Sequence, residues 1–295
     1  MKPGTKSTRE VSANKVGTGP KGAKGGKIVG RAHELELLQT AIGLGSNLLI
    51  EGPVGVGKTF LVQQVLSMRG KKFERVDGDS RYSEQKLTGW FDPPLVLKKG
   101  YGSETFIDGP LVTAMRDGSV LFVNELNRMP EAVQNILLPA MDERRIVLPK
   151  IGEVSARPGF MVIATQNPRE FTATHALSEA LLDRFDMIRL DYQSRPEELQ
   201  ILSQQTNRRG PLERALDLVR ATRDHAQIKR GASIRAALSL LRLVEGGVDF
   251  DTAAVMALPS RIELVSSDDD AAELIRGLLQ NLPAASPEKK NERRY

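Results

Sequence analysis

The 295-residue chain contains no cysteine. That excludes disulfides, thiolate-bound metals and cysteine nucleophiles, and it suits a reducing compartment. No apolar run approaches the ~18 residues that a membrane-crossing helix requires. The N-terminus lacks the apolar stretch of a secretory leader, which predicts a cytoplasmic protein. Positive charge looks abundant, at a net +5, but the body of the chain has no excess of it. Residues 1–27 carry Lys2, Lys6, Arg9, Lys15, Lys21, Lys24 and Lys27 against Glu10 alone, and residues 284–295 add a further basic excess. By difference the residues between are slightly acidic, about −3. A phosphate-backbone footprint needs clustered lysine and arginine, so nucleic acid is not favoured as the main partner. A hydrophobic share of 40% with 27% charged residues supports a sizeable core under a polar surface.

Residues 1–27 are rich in Gly, Lys, Thr and Ser and predict a disordered basic arm, because they carry too little apolar surface to offset ordering. From residue 28 the pattern alternates between helical and strand-like stretches. Ala32 to Ile42 has helical spacing, and 47–51, 72–76, 119–123, 160–164 and 187–190 are short apolar or β-prone runs. Strands separated by helices predict an α/β domain with a parallel sheet over 28–193. Two hairpins are expected, one pairing Leu95–Leu97 with Glu104–Ile107 and one formed by Arg145–Leu148 and the residues after its glycine turn. Pro130 opens a helix that Pro139 should kink or shorten. After Tyr192, segments 196–206, 211–227, 233–246 and 269–281 are helical, predicting a small all-helical domain over 194–283 and a charged tail over 284–295. Asp268-Asp269-Asp270 reads as a helix cap rather than a metal site.

The chemistry centres on Gly52-Pro53-Val54-Gly55-Val56-Gly57-Lys58-Thr59, which fits G-x-x-x-x-G-K-[ST] between an apolar strand and a helix. Glycines there let backbone N–H groups converge on phosphate oxygens, and the helix N-terminus adds partial positive charge. Lys58 would neutralise β- and γ-phosphates, and the Thr59 hydroxyl would ligate Mg²⁺. The strand Val120–Val123 runs into Asn124-Glu125. Glu125 is placed to orient and deprotonate a water, and Asn124 stands where an aspartate is expected to hold the metal shell. Asn167, after the strand 160–164, is a candidate reader of the γ-phosphate, with a simple Asn-Pro turn as the alternative. Arg184 and Arg235 are candidates for neutralising charge on the phosphoryl group.

Taken together these residues resemble the AAA+ ATPases, and within them the MoxR family, over about residues 28–282. Ile28-Val29-Gly30-Arg31 is similar to the family's adenine-side box, and Gly52–Thr59 to its Walker A. Asn124-Glu125-Leu126-Asn127-Arg128 sits where the family has D-E-I-N-R. Ala164–Pro168 matches its A-T-Q-N-P segment. Leu177–Phe185 resembles L-P-E-A-Q-L-D-R-F, and Gly231–Arg235 resembles G-A-S-P-R. The resemblance implies a P-loop domain with a five-stranded parallel sheet, a helical lid and ATP with Mg²⁺ as ligands. It makes Arg184 an arginine finger acting on a neighbouring subunit's nucleotide and Arg235 a second sensor. It further implies a homo-oligomeric ring, commonly a hexamer, and chaperone-like remodelling of a client. Members often work with a von Willebrand factor A domain protein, and several mature metalloenzymes such as methanol or carbon monoxide dehydrogenases. Asn124 departs from the pattern. Neutral amide oxygen binds Mg²⁺ more weakly than carboxylate does, so slow rather than absent hydrolysis is expected. A nucleotide-gated scaffold and a DNA-dependent motor are the competing readings.

Overall fold

The period of apolar residues in the strands explains how the sheet is covered. In a computed structural model, which describes residues 27–168, 175–206 and 211–282, five strands form one parallel sheet. Across the sheet they run Phe73–Asp77, Val120–Asn124, Met161–Gln166, Leu48–Glu51 and Asp186–Arg189. Successive side chains of a strand point to opposite faces. Leu48, Ile50, Val120, Phe122, Met161 and Ile163 accordingly pack with Leu38, Ile42, Leu61 and Val65 on one side. Leu49, Leu121, Val123, Val162 and Ala164 pack with Leu111, Met115, Leu126 and Leu137 on the other. Both faces are buried, which is why the runs read as almost continuously apolar.

The helices Arg195–Gln205, Leu212–Arg223, Ile234–Glu245, Phe250–Ala257 and Ala271–Asn281 build a separate apolar cluster around Leu216, Val219, Leu240 and Ile275. A short antiparallel ribbon pairs Ile228–Arg230 with Glu263–Leu264 beside it, so this region is mainly helical and not the all-helical one expected. Asp270 caps the last helix, its Oδ1 accepting from the Ala272 N–H at 2.7 Å, as expected for the acidic triplet. No grouping of acidic or histidine side chains suited to a metal occurs among the described residues. No helix there is long and apolar enough to cross a membrane.

Leu95–Leu97 is not a strand: it lies in the helix Pro93–Lys99, so the first hairpin does not pair as expected. Asp92 caps that helix by accepting from Leu95 N–H at 3.0 Å, and proline stands at its first position, two start signals that outweigh a three-residue apolar run. Phe106–Asp108 pairs instead with Gly89–Phe91. The second hairpin forms as read, Arg145–Leu148 against Gly152–Ser155. The helix after Pro130 is divided into Glu131–Asn135 and Leu137–Asp142. Pro139 has no N–H to give the Asn135 carbonyl, and the break falls there. The expected basic arm, apart from Lys27, and the charged tail lie outside the described residues.

Candidate functional site

Parallel strands present their C-terminal ends to one edge of the sheet, and ligands of such folds bind there. The turn after Leu48–Glu51 carries Gly52–Thr59, and Lys58 begins the following helix. Gly57, at φ 93°, occupies the left-handed region just before that helix, where a side chain would be strained. Gly55 lies against the helical cluster: a Cβ on it would come within 2.3 Å of the Ser233 Cβ. The loop is thus pressed directly against the start of the helix Ile234–Glu245. Lys58 is buried, and its Nζ donates to the Gly52 and Pro53 carbonyls at 2.6 and 2.8 Å, holding the ammonium inside the loop.

A cleft of about 270 Å³ runs from this loop to the helical cluster. Ile28, Val29, Arg31, Gly55–Gly57, Phe60, Ile234, Arg235 and Leu238 are among the residues that line it. Apolar side chains beside the backbone N–H groups of a glycine-rich loop suit a flat aromatic base joined to phosphates. Arg31 is tied down by its bonds to Glu34 at 2.8 Å and to the Asp191 carbonyl. Gln193 Nε2 donates to the Val29 carbonyl at 2.6 Å. The buried Glu198 carboxylate pairs with Arg220 at 2.7 Å and Arg223 at 2.8 Å, and Arg223 lies over the Tyr192 ring. Tyr192, Gln193 and Glu198 line the cleft too, and sequence reasoning missed them. Their only signal was position, just past the last strand.

Beside the loop the strand ends meet. The Asn124 Oδ1 accepts from Thr59 Oγ1 at 2.6 Å and from Thr165 Oγ1 at 3.0 Å. Thr165 Oγ1 in turn accepts from the Glu125 N–H at 2.9 Å. Glu125 takes a left-handed conformation at φ 59°, uncommon for a residue with a side chain, and its carboxylate pairs with Arg128 at 3.0 Å. Asn167 is buried, and its carbonyl accepts from Asn127 Nδ2 at 3.2 Å, binding the segment after one strand to the turn after the other. Thr59, Asn124, Glu125 and Asn167 therefore gather at one end of the sheet, next to Lys58. Arg235 faces the same cleft from the helical side. Arg184 does not line it: its guanidinium pairs with Asp142 at 2.5 Å and donates to the Ala180 carbonyl.

The oxygen donors Thr59 Oγ1 and Asn124 Oδ1 lie in contact, with Glu125 following in sequence, and hard oxygen donors suit Mg²⁺. The donor set fits that ion, with one amide where a carboxylate would bind more strongly.

Comparison with known proteins agrees with this geometry. Residues 47–185 match the family model for an AAA domain of the dynein-related subfamily. The chain is 30% identical over 216 residues to the gas vesicle ATPase GvpN of Ancylobacter aquaticus, covering 68% of this chain and 60% of that protein. It is 29% identical over 262 residues to the protein NorQ of Paracoccus denitrificans, covering 86% of this chain and 92% of that one. An uncharacterized protein of Staphylococcus aureus strain USA300 is 31% identical over 209 residues, with 68% and 79% covered. The chain thus spans less than two thirds of the gas vesicle ATPase, and nearly the whole of NorQ. The chain belongs to the AAA+ ATPases of the MoxR, GvpN and NorQ type.

Proposed function

We propose that the protein binds ATP in the cleft between the sheet edge and the helical lid and hydrolyses it to drive remodelling of a protein client. The observation that carries this reading is the hydrogen-bonded chain of Thr59, Asn124, Thr165 and the Glu125 N–H at the sheet edge, directly after Lys58, whose ammonium is held by the Gly52 and Pro53 carbonyls of the loop. In this reading the loop N–H groups and Lys58 bind the phosphates, and the apolar walls hold the base. Thr59 and Asn124 would hold Mg²⁺, which when bound neutralises charge on the β- and γ-phosphates. Glu125 takes the proton of the attacking water, and Asn167 orients the γ-phosphate. Arg235 senses the nucleotide from the helical side. Arg184, held outward by Asp142, serves the nucleotide of a neighbouring subunit, which makes a homo-oligomeric ring, commonly hexameric, part of the proposal.

The division at about residue 193 into a nucleotide domain and a lid follows from the same reading, since the cleft lies between the two. By family resemblance the client is a metalloenzyme undergoing maturation, of the carbon monoxide dehydrogenase kind, assisted by a von Willebrand factor A domain protein in the cytoplasm. The exposed Leu97, Tyr101 and Val147, on the two insertions flanking the core, support a client-contact role for those segments. The test is a pull-down with Glu125→Gln in ATP, a variant that keeps the phosphate loop and removes the base. Recovery of a metalloenzyme with a von Willebrand-type partner is the expected result. ATPase stimulation by DNA would turn the reading towards a nucleic-acid motor. Wild-type turnover no faster than Glu125→Gln would favour the nucleotide-gated scaffold.

A further inference from the structure

Where this family's pattern has an aspartate, the chain has Asn124, yet a carboxylate stands beside it from another strand. Asp77 and Asn124 are the last residues of adjacent parallel strands and are partners in register. Asn124 Nδ2 donates to Asp77 Oδ1 at 3.0 Å. The approach of the two strand ends continues one residue further. Gly78 N–H donates to the Asn124 carbonyl at 2.7 Å, and a Cβ on Gly78 would fall 2.1 Å from the Glu125 carbonyl oxygen. Only a residue without a side chain lets the strand carrying Asp77 come this close. Arg75 steadies the carboxylate from the solvent side, its Nη2 donating to the same Oδ1 at 2.7 Å.

The direction of these bonds matters. An ionised carboxylate only accepts, so the face of the Asn124 amide turned to Asp77 must be its NH₂. The carbonyl oxygen is thereby turned towards Thr59 and Thr165, whose hydroxyls donate to it. Without Asp77 nothing among these contacts prevents the amide from rotating and presenting donors to the Thr59 side. Hydroxyls, unlike a carboxylate, can serve either end of an amide.

We propose that Asp77 is a positioning residue for the metal site: from the neighbouring strand it fixes the Asn124 carbonyl towards Thr59. Arg75 balances the charge of its carboxylate, so Asp77 acts through the orientation of the amide. This rests on the reading of the cleft as a Mg²⁺–nucleotide site. Residues standing behind metal ligands typically change metal affinity about 10–100-fold when removed.

The test titrates Mg²⁺ against the full-length protein with the non-hydrolysable fluorescent analogue mant-AMPPNP. A parallel titration of the analogue is made in EDTA. Asp77→Ala is expected to raise the Mg²⁺ concentration at half-saturation by about tenfold and to leave metal-free affinity unchanged. The exchange Asp77→Asn/Asn124→Asp, which keeps one carboxylate and one amide but reverses them, should return the requirement to the wild-type level or below. Asn124→Asp alone sets two carboxylates against each other and should gain less than the exchange. An unchanged Mg²⁺ titration in Asp77→Ala, while the wild type binds, overturns the proposal and leaves the cleft reading intact. So does an equal loss in EDTA, or an exchange variant no better than Asp77→Ala. A wild type that binds no analogue at any Mg²⁺ concentration overturns both.

Discussion

Glu125 is the base of the proposed reaction, and its backbone is unusual: φ 59° places it in the left-handed region. Such a conformation persists because its surroundings hold it, here the N–H bond to Thr165 and the carbonyl packed against Gly78. Gly78→Ala should therefore lower stability by about 1–3 kcal/mol, the usual effect of forcing atoms into a packed site. It should also weaken Mg²⁺-dependent nucleotide binding, because the two strand ends must separate. Thermal melting together with nucleotide titration checks both effects. Lys58→Ala should leave the fold in place and weaken nucleotide binding by about 2–5 kcal/mol, as for loss of one partner of a buried charge pair. At this scale the sequence was legible where spacing is local. Gly52–Thr59 lies within eight consecutive residues. Asp77 was not legible, because its partner lies 47 residues away and only strand register brings them together.

Among the elements, the strands were readable because burial on both faces leaves a continuous apolar run, as in Val120–Val123. The helix Pro93–Lys99 was misread because three apolar residues fit either period, and the deciding signals were Asp92 and Pro93. The helix Arg195–Gln205 starts with a capping box, in which the Glu197 carboxylate accepts from the Ser194 hydroxyl and N–H at 2.7 and 2.9 Å. The hydroxyl bond, followed by the backbone bond, holds the Glu197 carboxyl below its ordinary value of 4.5. A lowered folded-state value adds stability that is fully present above the unfolded value and is lost as pH falls through the folded one. Melting temperatures of wild type and Glu197→Gln should therefore differ at neutral pH and converge at pH values below about 4.5. A difference that persists unchanged in acid would contradict this cap. Further along the same helix, Glu198 is 3% exposed and holds two arginines. Glu198→Ala leaves Arg223 buried without its carboxylate and should destabilise the lid by about 3–5 kcal/mol, read by denaturant unfolding.

For the whole molecule, the phosphate loop and the helical C-terminal region together line a cleft that Arg235 lines and Arg184 does not. If Arg184 completes a neighbour's site, Arg184→Ala should bind nucleotide normally and lose about 10³-fold or more in turnover. Mixing it with Lys58→Ala subunits, which keep Arg184 but bind nucleotide poorly, should recover activity. No recovery would contradict the shared site. Hydrolysis at Glu125 is the central step of the proposed function, and phosphate release from ATP measures it most directly. The wild type should turn over, while Glu125→Gln should bind mant-ATP with wild-type affinity and release phosphate at least about 100-fold more slowly. Equal rates in the two proteins, or no turnover in the wild type, would contradict it.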